Sequence, residues 1–120
     1  MREPRTESVW VGRKVTPKLD VIFDVLSHSR RRYILYALHN SSSHVATLEE
    51  LTDYVLKKEG KSDPDYDIQL EVRTTLQHIH VPKLVESNLI EVDTRSETVR
   101  YWGQPALEEW LEHAMHKELD

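Results

Sequence analysis

The chain has 120 residues, of which 38% are hydrophobic and 31% are charged, and its formal net charge is −5 at pH 7. A chain of this length forms one domain with a modest core, and the absence of Cys excludes disulfide bonds and thiolate metal sites. No apolar run approaches the roughly 18 residues that a membrane helix requires, so we expect a cytoplasmic protein with no membrane partner.

The N-terminal residues 1–15 are polar and mixed in charge, and we expect them to form a flexible arm. Its apolar spot, Val9-Trp10-Val11, is either incidental or packs on the domain or on a second subunit. A helix is then predicted to begin at Thr16-Pro17, with Thr16 as N-cap and Pro17 in the first turn. Helical spacing predicts that this helix buries Leu19, Ile22, Phe23 and Leu26.

A second helix is predicted after Ser27-His28-Ser29, which interrupts the first one and offers a new N-cap. Its first turn is Arg30-Arg31-Arg32, and three cations there oppose the helix dipole. Either salt bridges and solvation explain these arginines, or they contact a phosphate backbone. The predicted buried stripe of this helix is Ile34, Leu35 and Leu38.

The middle of the chain carries signals for a strand and a capped helix. Val45-Ala46 is predicted as a short strand beside a later hairpin. Thr47 and Glu50 have the spacing of a capping box, in which each side chain accepts a backbone N–H at the helix start. The helix should end near Lys57-Lys58, with Gly60 as the stop. Its predicted buried positions are Leu48, Leu51 and Val55.

The stretch from Asp67 to Trp102 changes from helical spacing to period two. Val72, Leu76 and Ile79 predict a helix with one buried face, which Pro82 should kink or restart. Asn88 is suited to a left-handed turn. Alternating apolar residues then predict a hairpin with strands Leu89–Asp93 and Thr98–Trp102.

These elements predict a fold that is mainly α with a small β-hairpin, an α+β protein of the winged helix-turn-helix type. The winged-helix domain would span residues 16–102, and residues 103–120 would add a C-terminal helix. In such a fold the helix before the hairpin enters the major groove of DNA, and the hairpin is the wing.

Three segments carry a resemblance to a known family: LSHSRRRYIL (Leu26–Leu35), TLEELTDYVL (Thr47–Leu56) and HIHVPKLVESNLIEVD (His78–Asp93). They resemble the winged-helix regulators related to the ArsR family, and most of all a group of small winged-helix domains in haloarchaea. The resemblance covers roughly Leu19 to Trp102. It implies a winged-helix architecture and, by fold, a DNA-binding or regulatory protein.

The predicted function is therefore a transcriptional regulator whose helix around residues 67–80 reads double-stranded DNA. Thr74, Gln77 and His78 lie on the polar face and have the hydrogen-bonding groups that base edges require. Phosphate or minor-groove contacts are expected from Arg73, Lys83, Arg95 and Arg100. The same residues could also form an ordinary solvated face, and the acidic run from Asp63 to Glu71 opposes DNA binding.

The C-terminal helix is predicted to hold a homodimer. It begins at Pro105, and its apolar stripe is broad for a helix lying on so small a core. We expect the dimer interface to comprise Leu107, Trp110, Leu111, Ala114 and Met115. A two-fold dimer would present two reading helices to a palindromic site.

The sequence predicts no enzyme, no cofactor and no metal site. None of the three glycines lies in a phosphate-binding loop, and no nucleophile and base can be placed in one cleft. His113 and His116 leave a tetrahedral metal site half made. The alternative function is a winged-helix module for protein–protein interaction. A basic stripe along the helix and hairpin would favour DNA, whereas an acidic or apolar one would favour the interaction module.

Overall fold

The computed structural model of the protein describes residues 17–119. This part of the chain is mainly helical and carries a three-stranded antiparallel sheet, so the predicted α+β class is confirmed. The helices are α1 (Leu19–Leu26), α2 (Ser29–Asn40), α3 (Leu48–Lys58), α4 (Tyr66–Thr75), α5 (Val81–Glu86) and α6 (Pro105–Leu119), and a π-helical turn (Leu76–His80) joins α4 to α5. The strands are β1 (Val45–Thr47), β2 (Ile90–Asp93) and β3 (Thr98–Tyr101). The arm predicted for residues 1–15 and the cap predicted at Thr16 lie outside the described residues.

The sheet has the strand order β1-β3-β2, and its register brings Val45 opposite Arg100 and Val92 opposite Val99. The strand predicted at Val45-Ala46 and the predicted hairpin are therefore confirmed, the hairpin strands to within a residue at their ends. Asn88 has a φ of 63° and makes the predicted left-handed turn before β2. These short-range rules place the hairpin directly after α5.

Helix α3 is fixed at both ends by local contacts. The capping box is present: the backbone N–H of Glu50 donates to Thr47 Oγ1 at 3.0 Å, and the N–H of Thr47 donates to Glu50 Oε1 at 2.8 Å. The helix ends at Lys58, and Gly60 follows with a φ of 80°. In addition, the N–H of Leu48 donates to the carbonyl of Glu97 at 2.9 Å, which ties the hairpin tip to the start of α3.

The core is built from one face of each helix and from the inner face of the sheet. The stripes predicted for α2 and α3 are buried as expected: Ile34, Leu35 and Leu38, then Leu48, Leu51 and Val55. Two aromatic side chains also lie in it, Tyr36 and Tyr101. No helix within residues 17–119 combines the length and the apolar character needed to cross a membrane.

Helix α1 differs from its prediction. It begins at Leu19 rather than at Pro17, after an extended Lys18 whose side chain makes no capping hydrogen bond. Its buried residues are Ile22 and Val25, whereas Leu19 is 52% exposed and Phe23 is 45% exposed. Leu19 and Phe23 are one turn apart on the neighbouring stripe, so the helix is rotated relative to the predicted face.

Arg30 pairs with two acidic side chains outside its own helix. Its guanidinium donates to Glu59 at 2.6 and 3.0 Å, to Glu71 at 3.2 Å and to Thr75 Oγ1 at 2.7 Å. Burial alone would raise the pKa of Glu59, but the hydrogen bonds from Arg30 and Lys61 lower it below its usual value. Arg30 therefore joins α2 to the end of α3 and to α4.

Arg31 and Arg32 bind the end of α1. Arg31 is buried and donates to the carbonyls of Val25 and Asp24 at 3.0 and 2.8 Å. Arg32 donates to the carbonyl of Leu26 and forms a two-pronged pair with Glu118 at 2.8 and 2.9 Å. Of the two explanations that the sequence allowed for the arginine triplet, the salt-bridged one is observed.

The helix is interrupted before Pro82, as predicted, and the interruption is a π-helical turn. The N–H of Val81 donates to the carbonyl of Leu76, five residues earlier, so the turn is wider than an α-helical one. Pro82 can follow because it has no N–H to place, and the wider turn relieves the clash with the preceding turn. One consequence is a change of face: Ile79, predicted to be buried, is 55% exposed, and His80 is buried instead.

His80 is packed between basic groups. Its ring centroid lies 4.2 Å from that of His28. Its Nδ1 accepts a long hydrogen bond of 3.5 Å from the guanidinium of Arg31, because a guanidinium has only donors. Burial, followed by the positive charge of His28 and Arg31, lowers the pKa of His80 to about 4. His80 is therefore neutral in the folded protein at neutral pH.

We expect the replacement Arg30→Gln to lower the free energy of unfolding by roughly 2–3 kcal/mol, because it leaves the largely buried carboxylate of Glu59 without its main partner. Urea denaturation followed by circular dichroism measures the change. The matched control is Arg95→Gln, since the Arg95 side chain is exposed and forms no ion pair within residues 17–119; it should stay within ~0.5 kcal/mol of the parent. Equal midpoints for the two variants would show that the Arg30 pairs do not stabilise the fold.

The lowered pKa of His80 predicts a pH dependence of stability. The unfolded chain takes up a proton near pH 6.5 and the folded protein only near pH 4, so the free energy of unfolding should fall as the pH falls between these values. Between pH 7 and pH 5 the loss should be roughly 1–2 kcal/mol. His80→Gln should reduce the slope, and the part that remains includes the contribution of His28, whose pKa is also lowered by burial and by the neighbouring arginines. A parental slope that survives in His80→Gln would contradict the assignment.

Candidate nucleic-acid interface

Three polar side chains lie exposed together on the segment formed by α4 and the π-helical turn. Thr74, Gln77 and His78 are exposed, whereas Val72 and Leu76 on the other side are fully buried. The segment is thus anchored by its apolar face and presents hydrogen-bonding groups to solvent. This is the arrangement that helical spacing predicted for these three residues.

Arg73, expected at a phosphate, is paired within the protein. Its guanidinium donates to both carboxylate oxygens of Glu97 at 3.1 and 3.2 Å. Glu97 lies at the hairpin tip with a φ of 56°, so the pair connects α4 to the hairpin across the groove between them. A phosphate that contacted Arg73 would have to compete with this carboxylate.

Lys83 is paired as well. Its ammonium lies 2.9 Å from Asp24 Oδ2 on α1, and this hydrogen bond and charge lower the pKa of Asp24. The side chain is about one third exposed, so the pair is weak and open to exchange. In the described structure Lys83 is therefore a contact between α5 and α1.

Arg95 and Arg100 are the exposed cations of the hairpin. The backbone N–H of Arg95 donates to Asp93 Oδ1 at 3.0 Å, which shapes the tip, and its guanidinium makes no ion pair within residues 17–119. Arg100 is exposed on β3, directly opposite Glu91 in the register with β2. Of the four cations predicted to contact the DNA backbone, Arg95 and Arg100 are the two that are accessible to an external anion.

The acidic run from Asp63 to Glu71 has a structural explanation for two of its members. Asp65 is the N-cap of α4 and accepts the N–H of Ile68 at 2.9 Å, and Glu71 pairs with Arg30. Acids favour the first turn of a helix because of its dipole. The placement of Asp65 therefore follows from capping α4, and that of Glu71 from its pair with Arg30 on α2.

A pocket separates the α4–α5 segment from the hairpin. Its volume is about 510 Å³, and its apolar walls come from α3, α5 and the two hairpin strands. Gln77 and His78 lie at its edge. The pocket was not predicted, although the valines of α5 and of the hairpin are apolar positions on elements that were predicted to be adjacent.

The predicted dimer stripe of α6 is divided by the structure. Leu107 and Leu111 are fully buried in the core of their own chain, and Ala114 and Met115 are partly buried against it. Trp110 remains 40% exposed, and its ring stacks edge-on against Phe23 of α1 at a centroid distance of 5.1 Å. The exposed apolar surface at this place is thus Leu19, Phe23 and Trp110, to which α1 contributes two residues that were predicted to be core.

His113 and His116 were considered above as possible metal ligands. Both are exposed on α6. Within residues 17–119 no group of three or more His, Asp or Glu side chains is arranged to hold a metal ion.

Comparison with known proteins gives one match. A search of curated proteins and a search of solved structures each found nothing that matches the chain. A family model described as a domain of unknown function (DUF7344) matches residues 23–100, which run from α1 to β3 and include the α4–α5 segment and the hairpin. Because this match spans more than half of the 120 residues, the chain belongs to the DUF7344 family.

Proposed function

We propose that residues 17–102 form a winged helix-turn-helix domain related to the ArsR-like regulators, and that the protein is a DNA-binding transcriptional regulator. The order of elements supports this proposal: α1, α2, β1, α3 and α4 precede a hairpin whose second strand pairs with β1. In a winged helix the helix before the hairpin is the reading helix and the hairpin is the wing.

One observation carries the DNA-binding proposal: the exposed cluster of Thr74, Gln77 and His78 lies beside a hairpin whose tip carries Arg95, which makes no ion pair with any described residue. Gln can form two hydrogen bonds with adenine in the major groove, and Thr and His can bind other base edges. Arg95 has the reach and the charge to contact the backbone or the minor groove next to the reading helix. The two kinds of contact would be made by one continuous surface.

The ion pairs within the protein determine which cations are available to contact the DNA backbone. Arg95 and Arg100 bind phosphate without losing an internal partner, whereas Arg73 and Lys83 must first leave Glu97 and Asp24. Each phosphate contact contributes about 0.9 to the slope of log affinity against log salt. We therefore expect a shallow salt dependence, equivalent to about two contacts for each domain.

The proposal predicts distinct effects for the two groups of residues. Gln77→Ala should relax the preference at one base position by ~1–3 kcal/mol. Arg95→Ala should weaken all sequences about equally and reduce the salt slope by about 1. Glu97→Gln should release Arg73, strengthen binding to all sequences and raise the slope by about 1. Fluorescence anisotropy with DNA fragments selected from a random pool, at several salt concentrations, measures all three.

The control for these variants is Lys117→Ala, which removes an exposed cation on α6, away from the candidate surface. It should leave both affinity and slope unchanged. If Gln77→Ala and Arg95→Ala bind like the parent protein, the segment from α4 to the hairpin does not contact DNA.

A second candidate function is a winged-helix module for protein–protein interaction. The charge of the surface favours it, because Glu86 and Glu97 line the apolar pocket and Arg73 is paired with Glu97. An acidic or apolar surface along the helix and hairpin favours the interaction module over DNA binding. A parent protein with no measurable affinity for DNA at low salt would select this alternative.

We further propose that the protein is a homodimer. The revised interface consists of Leu19, Phe23 and Trp110, together with the exposed parts of Ala114 and Met115. Leu107 and Leu111 are excluded from it because they are fully buried in their own chain. Large aromatic side chains favour the centres of interfaces, and Phe23 and Trp110 form a preassembled pair.

The dimer proposal predicts that Trp110→Glu gives a folded monomer with much weaker DNA binding, because it places a charge in the centre of the apolar contact. Sedimentation at tens of micromolar protein measures the mass, and circular dichroism checks the fold. Tyr66→Glu, which alters a 72% exposed aromatic residue on α4, is the matched control and should remain dimeric. A parent protein that sediments as a monomer at high micromolar concentration refutes the interface.

A further inference from the structure

The pocket between the α4–α5 segment and the hairpin has the size and the walls of a ligand site. Its volume of about 510 Å³ lies within the range of roughly 300–1,000 Å³ that small-molecule sites occupy. Its apolar walls are Leu48, Val81, Pro82, Val85, Val92 and Val99. Such sites are mostly apolar with a few polar groups at the edge.

The pocket stays open because the side chains that face it are short. Four of its six apolar residues are valines, and Val92 and Val99 lie directly opposite each other on β2 and β3. Val85 on α5 lines the pocket and is 37% exposed. The N–H of Leu48 also donates to the carbonyl of Glu97 at 2.9 Å, which ties the tip of the hairpin to the start of α3 rather than to α5.

The edge of the pocket is acidic. Gln77, His78 and Thr94 supply polar groups, Glu86 and Glu97 supply carboxylates, and no Lys or Arg is among the lining residues. Glu97 is engaged by Arg73, whereas Glu86 is exposed and makes no ion pair within residues 17–119. An apolar cavity with a free carboxylate at its mouth selects against anions and favours a cation with an apolar body.

We propose that this pocket binds a small amphipathic amine. The apolar part of the ligand lies against Val85, Val92 and Val99, and its ammonium group pairs with Glu86. Burial of the apolar part supplies the affinity, and the carboxylate supplies the selectivity for positive charge.

Binding at this site would also regulate the proposed DNA contact. Gln77 and His78 belong both to the edge of the pocket and to the exposed face proposed to read bases. An occupied pocket therefore holds these side chains away from DNA and lowers the affinity. This step rests on the proposed function, whereas ligand binding itself does not.

The test compares three probes of similar length on the full chain: n-octylamine, 1-octanol and octanoate. Methyl and amide NMR shifts of Val85, Val92 and Val99 report binding at the pocket. We expect octylamine to saturate these shifts at a concentration at least about tenfold lower than octanoate does, which corresponds to one favourable ion pair. Equal binding of amine and carboxylate, or shifts confined to other residues, overturns the proposal.

Two variants and a control locate the site. Val85→Trp fills the pocket from a partly exposed position and should abolish the octylamine shifts, and Glu86→Gln should remove the preference for octylamine over octanol. Leu70→Trp enlarges a 45% exposed apolar residue outside the pocket and should bind octylamine like the parent. If Val85→Trp is folded by its amide spectrum and still binds, the pocket is not the site.

A DNA-binding titration with and without octylamine separates the two proposals. An amine that saturates the pocket and lowers DNA affinity in the parent, but not in Val85→Trp, supports the regulatory step. Unchanged DNA affinity in the saturated protein overturns that step. A parent with no affinity for DNA overturns the proposed function, and the NMR result then stands as evidence for the ligand site alone.

Discussion

The first turn of α2 carries three adjacent positive charges at the end of a helix where the dipole already disfavours them. Carboxylates and carbonyls from other parts of the chain offset this cost. Arg30 binds Glu59 and Glu71, Arg31 binds the last carbonyls of α1, and Arg32 binds Glu118. The positions of α1, α4, α6 and the end of α3 therefore depend on one turn of helix.

This arrangement explains how an acidic chain accommodates its cations. Five of the twelve arginines and lysines within residues 17–119 pair with internal acids, and two of these pairs, Arg73–Glu97 and Lys83–Asp24, lie on the segment proposed to read DNA. On the surface formed by that segment and the hairpin, the groups accessible to an external partner are a small set of polar side chains, Arg95 and Arg100, and the apolar pocket. A contact made by such a surface would derive its specificity from shape and hydrogen bonding more than from net charge.

Local rules predicted the features that depend on neighbours in the chain. The capping box at Thr47, the turn at Asn88 and the hairpin follow from residue type and spacing, and each is present. Spacing also predicted the exposed face of Thr74, Gln77 and His78. The buried faces predicted for α1 and for the π-helical turn were wrong. Packing against the rest of the domain determines the face of α1, and the wider turn changes the face at Ile79 and His80. The partners of the arginines and the pocket depend on residues far apart in the chain, which no short-range pattern reports.

The contact between Arg32 and Glu118 has a consequence for how the protein is made. Tyr36 also donates to Glu118, at 2.9 Å, so two side chains of α2 share a partner that lies 86 and 82 positions later in the chain. During synthesis α2 leaves the ribosome long before this partner exists. The apolar side of α2 that α6 covers, together with the side chain of Arg32, is then exposed to solvent until residue 118 has emerged. The nascent chain is therefore expected to remain a partly assembled bundle during that interval, and to be a substrate for chaperones until α6 packs against α2.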